Sequence, residues 1–242
     1  MEEYVRRAIE CGITHLGFSD HVPRRYPDGF EKGWKVKTDE VRLYLEEARR
    51  LREKYADRIT IYIGYEAEYY PEEENFVENA LLYGAEYLIL GEHFTSLRDE
   101  RDDEINRHTV LPSESEERLV KYASVLVEAM KTGLFTHVAH PDIIGFTGDI
   151  AVYKRESARI CEAALKYGVP LEINLLGIRE KRAYPKREFW ETAAEVGAPV
   201  TIGCDAHRAA DTCDESSERI ALAMIDELGL KYVGMPTLRP LK

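Results

Sequence analysis

Six short stretches of this chain place chemically useful side chains close together: Asp20–His21, Glu66–Glu68, Glu92–His93, His140–Asp142, Glu172–Asn174 and Asp205–His207. Neutral imidazoles and ionised carboxylates are the ligands that hold zinc, manganese and iron. Glu66 and Glu68 are two apart in an apolar run, so a strand would put both on one face. Buried together, they need a cation or a shared proton. A carboxylate shared by two ions about 3.5–4 Å apart builds a clamp for the attacking and leaving oxygens of a displacement at phosphorus. Four histidines, His21, His93, His140 and His207, with glutamates and an Asp-x-His alongside them, therefore read as a divalent-metal set. Other residues have plainer readings. His15 comes early in its run and reads as a packing or surface histidine, and His108 lies in a polar loop facing solvent. His137 and His140 are three apart, so strand alternation sends them to opposite faces and leaves His140, nearer the end, as the ligand. Cys204 reads as a small packing residue, and no serine or cysteine nucleophile paired with a base stands out.

These pairs share one feature of placement: each falls at or just past the C-terminal end of an apolar run. Helical and strand periods alternate along the chain. Helices are expected near 2–11, 38–56, 73–83, 114–132, 152–167, 186–196 and 215–228. Between them come the strand-like runs "THLGFS", "ITIYIGYEAEY", "YLILGEH", "FTHVAHP", "VPLEIN", "PVTIGCDAH" and "KYVGM". Segments 22–37, 95–113 and the basic stretch "REKRAYPKR" read as loops. Alternation of this kind implies parallel strands joined by right-handed crossovers. A barrel gathers all the strand ends at one mouth, whereas an open sheet spreads them along an edge. The expected architecture is thus an α/β chain forming a barrel, with residues 1–242 as a single domain.

Composition narrows the class of partner. The chain is 44% hydrophobic and 32% charged, with a net charge of −12. An acidic balance argues against a protein that coats nucleic-acid backbone, because such binding needs a basic stripe. No apolar run reaches the length of a membrane span, so no membrane partner and a cytoplasmic location are expected. Cys11, Cys161, Cys204 and Cys213 are scattered without a C-x-x-C pair and read as reduced thiols. "REKRAYPKR", Arg179 to Arg187, holds five basic residues in nine. It suits either a solvated face or a pocket for a small anion, since arginine recognises phosphate in a bidentate manner.

Taken in order, "GFSDHVP", "GYEAEY", "LGEHF", "VAHPDIIG", "LEINLLGIRE" and "IGCDAH" resemble the polymerase and histidinol phosphatase (PHP) superfamily, and within it the histidinol-phosphate phosphatases. The resemblance spans about residues 2–236. It implies a distorted seven-stranded βα barrel with up to three divalent ions, hydrolysing a small phosphorylated substrate, L-histidinol phosphate. By motif, Glu66 would bridge two ions, His93 and His140 would complete the first, and Asp205 would serve the second. His21 and His207 would hold the third. Arg179 matches a phosphate-contacting arginine, with Lys181 and Arg182 beside it as further substrate-binding candidates, and Asp205 and His207 are the candidates for protonating the leaving group. The chain also departs from the family pattern. The family's first strand carries a His-x-His motif, and a further metal-binding histidine follows; neither precedes the helix at Glu2. Leu175 and Leu176 replace a common Thr-Ser pair, Glu180 a common Lys, and Cys204 a usual Ser. The expectations that follow are a barrel lacking its first strand, a polypeptide that begins further upstream, and one tightly held ion in place of three. Another PHP phosphoesterase, or a catalytically impaired PHP remnant, are the alternatives.

Overall fold

The computed structural model describes residues 1–73, 75–102 and 110–241; His108 lies outside them. Its elements run α1 (Glu2–Glu10), β1 (His15–His21), α2 (Val41–Lys54), β2 (Thr60–Ala67), α3 (Phe76–Leu82), β3 (Tyr87–Leu90), α4 (Leu97–Asp102), α5 (Glu116–Thr132), β4 (Phe135–Val138), α6 (Ile150–Tyr167), β5 (Leu171–Asn174), α7 (Leu175–Arg179), α8 (Arg187–Val196), β6 (Pro199–Gly203), a 3-10 helix (Ala209–Cys213), α9 (Glu215–Leu228) and β7 (Lys231–Tyr232). The seven strands form one parallel sheet in sequential order. This is the α/β class expected from the alternating periods, with every strand end on one side.

The helices form where the sequence signals them. In α5 the apolar positions Leu119, Tyr122, Ala123, Leu126, Ala129 and Met130 recur at three- and four-residue intervals and are buried, the spacing of one helical face. Ser115 caps its start by accepting the Arg118 N–H, and Gly133 ends it at φ +74°, a left-handed conformation that costs an L side chain strain. Asp149 and Asp214 cap α6 and α9 in the same way, each cap worth about 1 kcal/mol. Two short helices, α4 and α7, fall in or beside segments read as loops. Each is six residues or fewer, too short to show a helical period.

The sheet does not close, in line with the expected barrel lacking its first strand. β1 pairs with β2 and β7 with β6, but β1 and β7 do not pair, so the sheet is open between them. A cavity of about 630 Å³ lies along the gap, lined by residues of β1 and β6 such as Leu16, Phe18 and Ile202. On the outside, α1 packs against the 3-10 helix, and Cys11 is joined to Cys213 by a disulfide with Cα atoms 6.4 Å apart. The reading of all four cysteines as reduced is corrected here, while Cys161 and Cys204 remain free. A pairing across 202 residues follows from the tertiary packing of two helices and leaves no local spacing to read.

The main core lies between the sheet and α5, α6 and α8, with Trp190, Tyr122, Phe135 and Phe189 essentially inaccessible. A separate small cluster of Val5, Ala8, Leu51 and Ile61 seats α1 and α2 on the β1–β2 end.

Candidate functional site

Glu66 is near the end of β2, directly opposite His21 of β1 and beside Ile89 of β3 in the strand register. Its carboxylate reaches the next strand end only because residue 91 has no side chain: a Cβ on Gly91 would overlap the Glu66 carboxyl group. Here the glycine of "LGEHF" has a physical role that the sequence reading did not assign. His140 Nε2 lies 3.1 Å from Glu66 Oε1, and His93 Nε2 lies 3.7 Å from the same oxygen. The two imidazoles sit 5.0 Å apart, centroid to centroid. Ligand atoms of Glu66, His93 and His140 all fall within 4.8 Å of one another. This is the donor set expected for the first ion.

Two groups meet at His93. Its Nδ1 is 3.1 Å from Glu68 Oε1, and His21, Glu68 and His93 form a second cluster with ligand atoms within 4.8 Å. His21 packs 5.2 Å from His93 and 4.5 Å from the Trp34 ring. Among the described residues, no group of three ligands includes Asp205 or His207. His207 is 64% exposed, with Nδ1 3.3 Å from Asp205 Oδ1. Even so, all six ligand candidates, His21, Glu66, His93, His140, Asp205 and His207, line a single cavity of about 330 Å³.

The electrostatics of that cavity favour a cation. Burial opposes charge on Glu66, but His21 and a hydrogen bond from His140 hold its carboxyl group well below the usual range. Asp205 is pushed up by burial and then by the charge of Glu66, the mark of two carboxylates without enough positive charge between them. Burial disfavours the imidazolium of His140, yet the Glu66 hydrogen bond and charge raise it to about 9. His21, more simply, is lowered by burial to about 4. The Nδ1 atoms of His21 and His140 are buried with no hydrogen-bond partner among the described residues. A divalent cation fits this site: it would supply the missing charge to a carboxylate flanked by imidazoles.

Backbone strain marks the same place. Among non-glycine residues, His140 and Asp205 adopt positive φ, +32° and +42°, as does Lys181 at +53°. Such conformations concentrate at functional sites, where the surroundings enforce them. The turn at His140 also corrects the alternation argument. β4 ends at Val138, so His140 follows the strand and is not bound by its alternation. His137 does lie in the strand; its Nε2 is 3.1 Å from Glu172 Oε2, and both line the 630 Å³ cavity. Asn174 links this pair to the site by donating to Glu172 at 2.8 Å and to Asp205 at 3.0 Å.

The remaining strand-end residues take other places. Glu92 is buried and accepts the Tyr69 N–H at 3.0 Å. Asp142 accepts from the Lys186 N–H and the Trp190 indole. In the basic stretch, Arg182 alone of the three candidates lines the 330 Å³ cavity, with Tyr184 OH 3.0 Å away. Arg179 does not line it. Its guanidinium is 3.0 Å from Asp214 and donates to the Asp205 carbonyl at 3.3 Å. Lys181 is exposed on the turn after α7. His15, as expected, is an exposed residue beside Thr14 and Tyr62.

A parallel α/β sheet with a histidine–carboxylate cluster capable of holding a metal at its strand ends defines a metal-centre class of protein. The chain belongs to the PHP domain family, whose pattern matches residues 1–175. It is 28% identical over 214 residues to a probable histidinol-phosphatase of Deinococcus radiodurans, covering 85% of this chain and 79% of that protein. It is 26% identical over 234 residues to a probable histidinol-phosphatase of Schizosaccharomyces pombe, covering 86% of this chain and 74% of the relative. Among solved structures, the fold matches a histidinol phosphate phosphatase from Lactococcus lactis, determined with zinc, L-histidinol and phosphate. The TM-score is 0.70 at 18% identity, over 100% of this chain and 91% of the other. Among the described residues, no helix is long and apolar enough to cross a membrane.

Proposed function

We propose that this chain is a metal-dependent phosphomonoesterase that hydrolyses L-histidinol phosphate to histidinol and phosphate. The observation that carries the reading is the convergence of six histidine and carboxylate side chains on one cavity of about 330 Å³, in a chain whose curated relatives are named probable histidinol-phosphatases. In this reading Glu66, His93 and His140 hold a zinc, manganese or iron ion. Asp205 with Glu66, and His21 with His207, would hold any further ions, more weakly. A bound ion supplies Lewis acidity to the phosphate oxygens and a nucleophile at neutral pH.

The protein's own residues do the rest. Arg182, at the cavity wall, takes the phosphate, and its neighbour Tyr184 steadies the guanidinium through the 3.0 Å contact. Arg179 acts one step back: bound to Asp214 and to the Asp205 carbonyl, it holds the strained turn that carries Asp205. Val110, Ile143 and Leu176 add apolar wall to the cavity and limit water around the reacting ester. Where no ion occupies them, Asp205 and the rim residue His207 are placed to give a proton to the departing alkoxide, since a metal-bound ligand has none to give.

One feature favours fewer ions than the family's three. The described residues form tight three-member ligand groups only around Glu66, Glu68, His21, His93 and His140, and these groups share His93. About one tightly held ion per chain follows from that ligand count.

The test is phosphate release by the purified chain after chelation and reloading with zinc or manganese, across histidinol phosphate, nucleotides, other small phosphomonoesters and oligonucleotides. The expected result is the highest kcat/KM on histidinol phosphate, with loss on chelation and recovery on reloading. Arg182→Met should raise KM by about tenfold at unchanged metal content, the loss of one charge-assisted contact. Efficient hydrolysis of a different ester with none of histidinol phosphate overturns the substrate assignment. A metal-loaded chain inactive on every ester overturns the enzyme.

A further inference from the structure

We propose that Glu68 is a positioning residue for His93: it occupies the Nδ1 side of the imidazole and so reserves Nε2 for a metal, with Lys35 of the loop before α2 holding Glu68 in place. The proposal rests on the reading that the cavity holds a divalent ion.

The two overlapping ligand groups make incompatible demands on His93. An ion among Glu66, His93 and His140 uses the nitrogen nearer Glu66, which is Nε2 at 3.7 Å. An ion among His21, Glu68 and His93 would take the nitrogen nearer Glu68, which is Nδ1 at 3.1 Å. The surroundings of the two carboxylates decide between them. Glu66 has no lysine or arginine partner among the described residues; its ion-pair contacts are His93 and His140. Glu68 is inaccessible to solvent and already compensated. Lys35 Nζ stands 2.6 Å from its Oε2, and Arg24 lies 3.6 Å from the same oxygen. Lys35 also holds Glu100 at 2.7 Å, and Arg24 holds Glu73 at 2.7 Å, with its guanidinium over the Tyr70 ring. Among the described residues, three carboxylates thus face two cations in this network, and the atom that meets Glu68 Oε1 is His93 Nδ1 at 3.1 Å. An ionised carboxylate only accepts, so that nitrogen is the one to carry the proton. A carboxylate in that position orients a ligand in place of serving as one, since a histidine bound through one nitrogen donates its other N–H to an acceptor that fixes tautomer and ring plane. Glu66, whose ion-pair contacts among the described residues are imidazoles alone, is left to take the ion.

The sequence positions add weight. Lys35 and Glu68 are 33 residues apart and come from different elements, so seating of the 22–40 segment on β2 is what brings the lysine to the carboxylate. Trp34, next to Lys35, packs its ring 4.5 Å from His21 and 6.2 Å from His93. The same segment therefore touches the imidazoles directly and orients one of them through Glu68.

The decisive measurement is the tautomer of His93 by long-range proton–nitrogen-15 correlation, read in metal-free and zinc-loaded wild-type protein. The expected spectra show Nδ1 protonated in both, with Nε2 shifted on zinc binding. Zinc affinity is then measured by chelator competition for three variants checked for folding by circular dichroism. Glu68→Ala should weaken zinc about 10- to 100-fold, the usual cost of losing such a partner. Glu68→Gln, whose amide oxygen still accepts from Nδ1–H, should recover much of that loss. Lys35→Met should weaken zinc in the same direction by a smaller factor, although Lys35 belongs to neither ligand group. Saturating zinc should restore kcat in all three. Zinc bound through Nδ1, an Nε2–H tautomer in the metal-free protein, or a folded Glu68→Ala with wild-type affinity each overturns the proposal. If the Glu68 variants do not fold, the wild-type tautomer alone decides. A chain that takes up no zinc fails the metal reading, and the metal-free tautomer still judges Glu68.

Discussion

The strand ends of β2 to β4 and the strand end of β6 carry residues of the same kinds, but the fold treats them differently. At the first, Glu66, His93 and His140 stand within 4.8 Å of one another, seated on Gly91 and backed by a buried network of Glu68, Lys35, Arg24 and Glu100. At the second, Asp205 is strained and 19% exposed, and His207 is 64% exposed. One flank of β6 faces the open edge and its cavity of about 630 Å³. The sequence offers both sets of ligands on equal terms, as a Glu-x-Glu and an Asp-x-His. What separates them is support: a ligand is held in geometry by what packs behind it. Glu66 is paired on both sides, with His21 and Ile89, whereas β7 pairs only with Pro199 and Val200 at the start of β6 and leaves its end without a partner on that side.

That contrast can be broken by substitution. The largest effect is expected from Glu66→Gln, which removes the carboxylate between two imidazoles. Phosphate release should fall by about a thousandfold, the several kcal/mol a metal's charge supplies, with metal content falling in parallel. Gly91→Ala leaves every ligand in the chain and displaces one, because its methyl group overlaps Glu66. A misplacement on the order of 1 Å should cost about a hundredfold in kcat. His207→Ala, in the exposed wall, should cost about tenfold or less in kcat, with the tightly held ion retained, as removal of one general acid among alternatives allows. If His207→Ala matches Glu66→Gln in both activity and metal content, the two walls are equivalent and the contrast is lost.

The smallest expected effect concerns the support of the β6 wall. Burial alone would raise Asp214, but hydrogen bonds from Ser217 and Arg179 carry it well below the usual carboxylate range. Asp211 is lowered by Arg208 and then by the charge of Arg179. A lowered carboxyl group contributes stability that is present above its ordinary value of 3.8 and lost as pH falls through that value toward the folded one. Asp214→Asn keeps a competent helix cap but removes the charge that faces Arg179, and should therefore cost about 1 kcal/mol near pH 7. The gap between the urea midpoints of the variant and wild type should begin to narrow as the medium is acidified below that ordinary value and keep narrowing with further acidification. A constant gap at all pH values assigns the loss to side-chain packing, with no part for charge.

Much of the site was legible in the residues. His21, Glu66, His93, His140, Asp205 and His207 were singled out by type and by position at the ends of apolar runs, and they line one cavity. The parts that escaped notice depend on contacts between distant segments. Glu68 was legible only as sharing a strand face with Glu66; that its cation is Lys35 depended on the 22–40 segment folding onto it. His137 was set aside by an alternation rule that stops applying where β4 ends. The motif singled out Arg179 over its neighbour Arg182, yet Arg179 is bound by Asp214 and it is Arg182 that lines the cavity. The Cys11–Cys213 link had no local signature. Gly91 was visible as a letter in a motif, but its reason is the carboxylate of another strand.

By itself, the sequence determined the alternation of helix and strand, the parallel sense that follows from it, and the placement of imidazoles and carboxylates at the strand ends. These are local matters: period, capping residues and the position of a polar residue in an apolar run are set within about ten neighbours. The tertiary structure alone decided which ligands meet, which carboxylate is satisfied by lysine and arginine, and which arginine reaches the cavity. Those outcomes depend on strand register and on side chains brought together from opposite ends of the chain, and there the free energy of burying a charge depends on its partners more than on its own identity.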